Sequence, residues 1–100
     1  MGSYPVTDLH ALVIPKRHVS DFFDLHDAER NAIHELLGTS RSEIMETDNS
    51  VQGFNVGINS GAVAGQTVFH CHLHLIPRRR SDIENPGGGV RAVIPGKADY

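Results

Sequence analysis

Apolar and polar residues alternate along this chain with two different periods. Ala11 to Ile14 is a short β-rich run ended by Pro15, and it predicts a strand with His10 at its start. Ala28, Ala32, Ile33, Leu36 and Leu37 fall on one face of a 3.6-residue period, and Ile44 and Met45 continue that stripe. The spacing predicts a helix from Asp27 to Thr47, capped by Asp27, with Glu29 favouring its positive end and the stripe packed into the core. Gly38 interrupts it at a cost of about 1 kcal/mol. Ser20 is expected to cap a single turn through Asp21, Phe22 and Phe23. The period then changes to two. Phe54, Val56 and Ile58 alternate with Asn55, Gly57 and Asn59, and a Gly/Ala loop, Gly61 to Gly65, follows. The longest predicted strand runs from Thr67 to Pro77. Thr67, Phe69, Cys71, Leu73 and Leu75 share one of its faces, suited to lie under the helix, while Val68, His70, His72, His74 and Ile76 share the other. Beyond Pro77 the pattern dissolves into a Pro86–Gly89 loop, a short strand from Val90 to Ile94 and a mobile tail over residues 95–100.

One hundred residues make a single domain spanning residues 1–100, with Met1-Gly2-Ser3 read as a cloning scar. The formal net charge of -3 argues against a surface built for a nucleic-acid polymer, and Arg78-Arg79-Arg80 is the one local basic cluster. No apolar run approaches the roughly 18–20 residues of a membrane span, and the first residues lack a secretory pattern. Cys71 is the sole cysteine, so no intrachain disulfide or CxxC metal site can form, and the expected compartment is the reducing cytoplasm.

The stretch TVFHCHLHLIP places three imidazoles at every second position. Such a row has three readings. Histidines can decorate a solvated strand face, but three in alternation repel one another when more than one is charged. A pair at i and i+2 can share a metal ion, yet His70 and His74 would be rooted about 13 Å apart at ~3.3 Å per residue, so a third ligand such as His10 or His18 would be needed. The third reading is nucleophilic catalysis by the middle ring, His72, with one nitrogen held and the other open. The Gly/Ala loop with Gln66 and Thr67 offers amide and hydroxyl donors suited to phosphate, although it carries no GK[ST] signature.

These residues resemble the histidine triad (HIT) family. His70-Cys71-His72-Leu73-His74-Leu75-Ile76 matches its His-x-His-x-His motif, and Ala64 to Val68 with Pro77-Arg78 resembles the dinucleoside polyphosphate hydrolase branch. His10 to Val19, Gly53 to Asn59 and the C-terminal GGVRAVIPGKADY are similar to further family segments. The resemblance implies an α+β fold, an antiparallel β-sheet with one long packed helix, with the N-terminal strands of the family apparently missing ahead of Tyr4. It implies a nucleotide hydrolase or nucleotidyl transferase in which His72 attacks the α-phosphorus and forms a nucleotidyl-histidine. His70 would assist the leaving group or position the phosphate, and His74 and His10 would orient the nucleophile. Asn59, Gln66, Thr67 and Arg78 would contact substrate. No cofactor is required, a divalent metal being associated only with the substrate phosphates. The expected partner is a small nucleotide, with no nucleic acid or membrane, and the expected assembly is a homodimer. The alternatives are a catalytically weak nucleotide-binding or regulatory module, motivated by the short N-terminus, and a metal-binding protein.

Overall fold

The computed structural model describes residues 8–96. Residues 1–7, on which the expected scar and the start of the family resemblance at Tyr4 fall, lie outside the described residues, as do 97–100 of the expected tail. Three strands, β1 (Ala11–Val13), β2 (Val51–Gly57) and β3 (Leu73–Arg79), form an antiparallel sheet in the order β1-β3-β2. One long helix, α1 (Asp27–Thr47), links β1 to β2 and covers one face of the sheet. Short 3-10 turns stand at Phe22–Asp24, Ala62–Ala64 and Gly89–Val93. This is the expected α+β arrangement.

The register explains the two faces. Val13 lies opposite Leu73, Leu75 opposite Val56, and Pro77 opposite Phe54, so these residues form the side under the helix. Val13, Cys71 and Leu73 pack there with Val19, Leu25 and Ile33. Leu75 packs with Ile44 and Val51, and Leu37 touches both groups. The other face carries Leu12 opposite His74, Gly57 opposite His74 on the far side, and Asn55 opposite Ile76. No helix covers it. Two ion pairs tie the helix ends down. Both oxygens of Glu29 accept from Arg17 at 2.9 and 2.8 Å, and Arg79 reaches Asp48 at 3.0 Å.

Several elements differ from the sequence pattern. β3 starts at Leu73, not Thr67, because its neighbours stop: Pro15 carries no N–H to extend β1, and β2 ends at Gly57. The segment before it is pinned instead by the Cys71 amide donating to the Val19 carbonyl at 2.6 Å. Phe69 and Thr67 are therefore exposed and do not share the packed face. Val90 to Ile94 does not form a strand. With Gly88 and Gly89 both at positive φ, the chain coils into the 3-10 turn Gly89–Val93. The residue flanking α1 is His26, whose backbone N–H donates to Glu29 at 2.8 Å, and Asp21, not Ser20, caps the first 3-10 turn by accepting from the Phe23 amide. Only Ile33 and Ile44 of the helical stripe are buried, and Leu36 and Met45 face outward.

Candidate active site

The triad sits on the uncovered face, at the N-terminal end of β3. His74 is in the ladder, His72 lies just before it, and His70 stands in the bend at residues 68–70. All three rings are half-buried. His72 Nδ1 lies 2.8 Å from the backbone carbonyl oxygen of His70. A carbonyl can only accept, so in the neutral ring the proton sits on Nδ1 and the lone pair is on Nε2. That is the tautomer a nucleophilic imidazole needs.

The other rings form a chain around it. His74 meets His72 edge-on, with centroids 5.3 Å apart. His10 Nε2 lies 2.9 Å from His74 Nδ1, so one of these rings donates to the other and His74 is held from behind. Burial pushes both rings below the ordinary imidazole value; for His74 the positive potential of His10 and His72 adds to it. Neutral rings are thereby favoured behind the nucleophile. His70 turns the other way. Its Nε2 lies 2.9 Å from the Pro15 carbonyl, and its ring lies against His18, with centroids 4.9 Å apart. The expected role of His70 at the leaving group is thus met by a ring whose Nε2 proton is already spent. Its backbone carbonyl is what serves the nucleophile. Sequence pattern alone could not find that carbonyl, because no side chain announces it.

The loop residues divide. Asn59 is exposed on the triad side and lines the same cavity as His74; its carboxamide lies beside Gly65, whose φ of +99° no other residue adopts without strain. Thr67 is exposed at the loop exit. Gln66 is different. It is buried, its Oε1 accepts from the Gly61 amide at 2.8 Å, and its Nε2 donates to the carbonyls of Ser20 and Val68 at 2.9 and 3.2 Å. The amides of Gly65 and Gln66 also donate within the loop. Both amide protons of Gln66 are thus engaged by backbone carbonyls, a structural tie that the sequence pattern does not predict. Arg78 is likewise occupied. Asp82 holds it through two 2.8 Å bonds and Asn55 through one of 2.6 Å, four residues and about 13 Å along β3 from His74. Cys71 is in the core between the triad histidines. Burial, with help from Asp21 and Glu29, pushes its thiol pKa up, which makes it a packing residue. Among the described residues no three His, Cys, Asp or Glu side chains converge to hold a metal ion, and no helix is long and apolar enough to cross a membrane.

The HIT domain family model matches residues 2–81, which include the whole triad. The chain belongs to the HIT family. Over 81 residues it is 40% identical to the bis(5'-adenosyl)-triphosphatase of Dictyostelium discoideum, covering 81% of this chain and 54% of that protein. It is 40% identical over 78 residues to the HIT-like protein MG132 of Mycoplasma genitalium, covering 78% of this chain and 55% of that one. The crystal structure of the Caenorhabditis elegans NitFhit protein superposes with a TM-score of 0.75 at 38% identity, covering 82% of this chain and 20% of that chain. The chain thus spans about half the length of these two curated relatives. Some HIT proteins hydrolyse dinucleoside polyphosphates, as the name of the Dictyostelium relative states.

Proposed function

We propose that this HIT domain is a nucleotide hydrolase or nucleotidyl transferase that works through a covalent nucleotidyl-histidine on His72. One observation carries the reading: His72 Nδ1 is held by a carbonyl, which leaves Nε2 as the open, nucleophilic nitrogen. In the first step Nε2 attacks the α-phosphorus of a dinucleoside polyphosphate or similar adenylylated substrate. The N–P bond forms, the bridging P–O bond breaks, and the leaving phosphate departs with that electron pair. The ring, now cationic, keeps its Nδ1 proton on the His70 carbonyl. Water then attacks phosphorus, the imidazole leaves, and a proton is released with the nucleoside monophosphate. His10 and His74 act as positioning residues: His10 fixes His74, and His74 closes one side of the His72 ring. Asn59 and Thr67 are the phosphate and ribose contacts. The scheme holds no resident metal; a divalent cation would arrive with the substrate phosphates. We further propose that the protein acts in the cytoplasm as a homodimer, consistent with the exposed apolar side chains of Leu36 and Met45 on α1 and of Val56 at the β2 edge.

Turnover of diadenosine polyphosphates by wild type and His72→Ala tests the reading, with mass spectrometry of the protein after a rapid acid-free quench. The expected result is a loss of several orders of magnitude in kcat for His72→Ala. A mass increase of one adenylyl group, localised to His72, is expected in a His74→Asn variant. Equal turnover in wild type and His72→Ala would end the reading.

A further inference from the structure

Three consecutive residues outside the triad, Val19, Ser20 and Asp21, each hold a different part of the site. The Val19 carbonyl accepts from the Cys71 amide at 2.6 Å, between His70 and His72 in the chain. The Ser20 carbonyl accepts from Gln66 Nε2 at 2.9 Å, at the exit of the Gly/Ala loop. Asp21 Oδ1 accepts from Ser60 Oγ at 2.8 Å, at the entry of that loop. A hydroxyl donating to a carboxylate makes a charge-assisted bond, stronger than a neutral one. Asp21 is itself held. The same oxygen caps the 3-10 turn Phe22–Asp24 through the Phe23 amide at 2.9 Å, and the Asp21 carbonyl accepts from the Asp24 amide at 3.0 Å. Phe22 and the buried Leu25 root that turn in the core beside Ile33 of α1.

The loop closes without Ser60. Gly61 pairs with Gln66 through its amide to Oε1 and its carbonyl to the Gln66 amide, and its φ of +93° makes the reversal. What the Ser60 bond adds is direction, because it ties the neighbour of Asn59 to a fixed point 39 residues away in sequence. Asn59 lines the cavity at His74, and its carboxamide lies beside Gly65. We propose that Ser60 and Asp21 are positioning residues, whose bond fixes the Asn59 carboxamide beside the triad where it receives a substrate phosphate. This rests on the reading of Asn59 as a phosphate contact. One short segment then registers the nucleophile against that contact: Val19 holds the chain next to His72, and Asp21 holds the chain next to Asn59. A contact ordered before the ligand arrives loses less free energy on binding. Removing the bond therefore weakens the grip on phosphate and leaves a ligand without phosphate unaffected.

Calorimetry in a His72→Ala background, where no turnover intervenes, compares adenosine 5'-diphosphate with adenosine. Ser60→Ala is expected to weaken the diphosphate about fivefold and adenosine less than about twofold, as loss of one hydrogen bond to a charged group allows. Ser60→Thr, which keeps the hydroxyl, should restore the diphosphate affinity. Asp21→Ala should weaken the diphosphate by the same factor, and the double substitution by no more than either alone, because both remove one bond. Asp21→Ala also loses the cap on the 3-10 turn, so it should unfold at lower urea than Ser60→Ala. With His72 intact, Ser60→Ala should raise KM for diadenosine tetraphosphate about fivefold and keep kcat within about twofold. Unchanged diphosphate affinity in Ser60→Ala, equal losses for diphosphate and adenosine, or additive losses in the double variant each overturn the proposal. Absence of turnover in the protein with His72 intact overturns the covalent reading instead, and the binding comparison still decides the role of the pair.

Discussion

At the scale of single residues, Gln66 and His72 show how one neighbouring atom decides what a polar side chain does. The Gln66 amide is buried and makes three hydrogen bonds, joining the two ends of the Gly/Ala loop to Ser20 on the other side of it. Gln66→Leu keeps the volume but leaves the Gly61 amide and two carbonyls without their partner. The expected cost is about 1–3 kcal/mol in a urea titration, at an unchanged m-value. A residue that touched only substrate would instead leave stability alone and raise KM, so the pair of measurements separates the two roles. The same logic shows why part of the site was legible in the sequence and part was not. The triad, with His10 near it, could be read because alternation and motif concern side chains. The roles of Gln66 and Arg78 could not, because Ser20, Val68, Asp82 and Asn55 reach them only in the folded chain. The carbonyl of His70 that holds the nucleophile belongs to the backbone and leaves no trace in residue identity.

At the scale of elements, α1 was the easiest to foresee, and its bounds, Asp27–Thr47, are those its periodicity predicts. Period 3.6 over six turns is a long signal. β3 was harder, since an alternating sequence states which face a residue could take but not whether a neighbouring strand is there to pair with it. The ladder stops before His72 and the chain bends at residues 68–70, which leaves the nucleophile outside the strand and His74 inside it. Within α1, Gly38 marks a place where stability was not optimised. It lies in the middle of the helix, it is exposed, and a Cβ there meets nothing within 4 Å. Gly38→Ala is expected to stabilise the fold by roughly 0.5–1 kcal/mol through helix propensity alone. Its turnover should equal that of the wild type. A fall in the midpoint of thermal unfolding would mean that α1 needs that glycine for a contact with another chain.

At the scale of the whole molecule, the rings that support the nucleophile also tie folding to pH. Burial lowers the pKa of His10 and His74 from the ordinary 6.5, with the charges of His10 and His72 adding at His74. The unfolded chain then binds more protons than the folded one between pH 6.5 and the lowered folded values. Stability contributed by these rings is full above about pH 6.5 and is lost as pH falls through their folded pKa. The carboxylates behave alike but lower down. Glu29, held by Arg17, and Asp48, held by Ser50 and Arg79, are both brought to about 2, so their contribution begins to fall only below the usual carboxylate range. Both are half-buried carboxylates in ion pairs at the surface, where solvent screening keeps their share small. Unfolding free energy measured in urea from pH 8 to 4.5 is therefore expected to be level above pH 7 and to decline below 6.5, before any carboxylate titrates. NMR titration of the ring protons assigns the decline, since His10 and His74 should titrate below the ordinary imidazole value. His10→Asn should remove part of the slope. A level stability curve down to pH 5, with His10 and His74 titrating at the ordinary value, would mean that the two rings are not shielded and that the neutral pair behind His72 is not enforced by the fold.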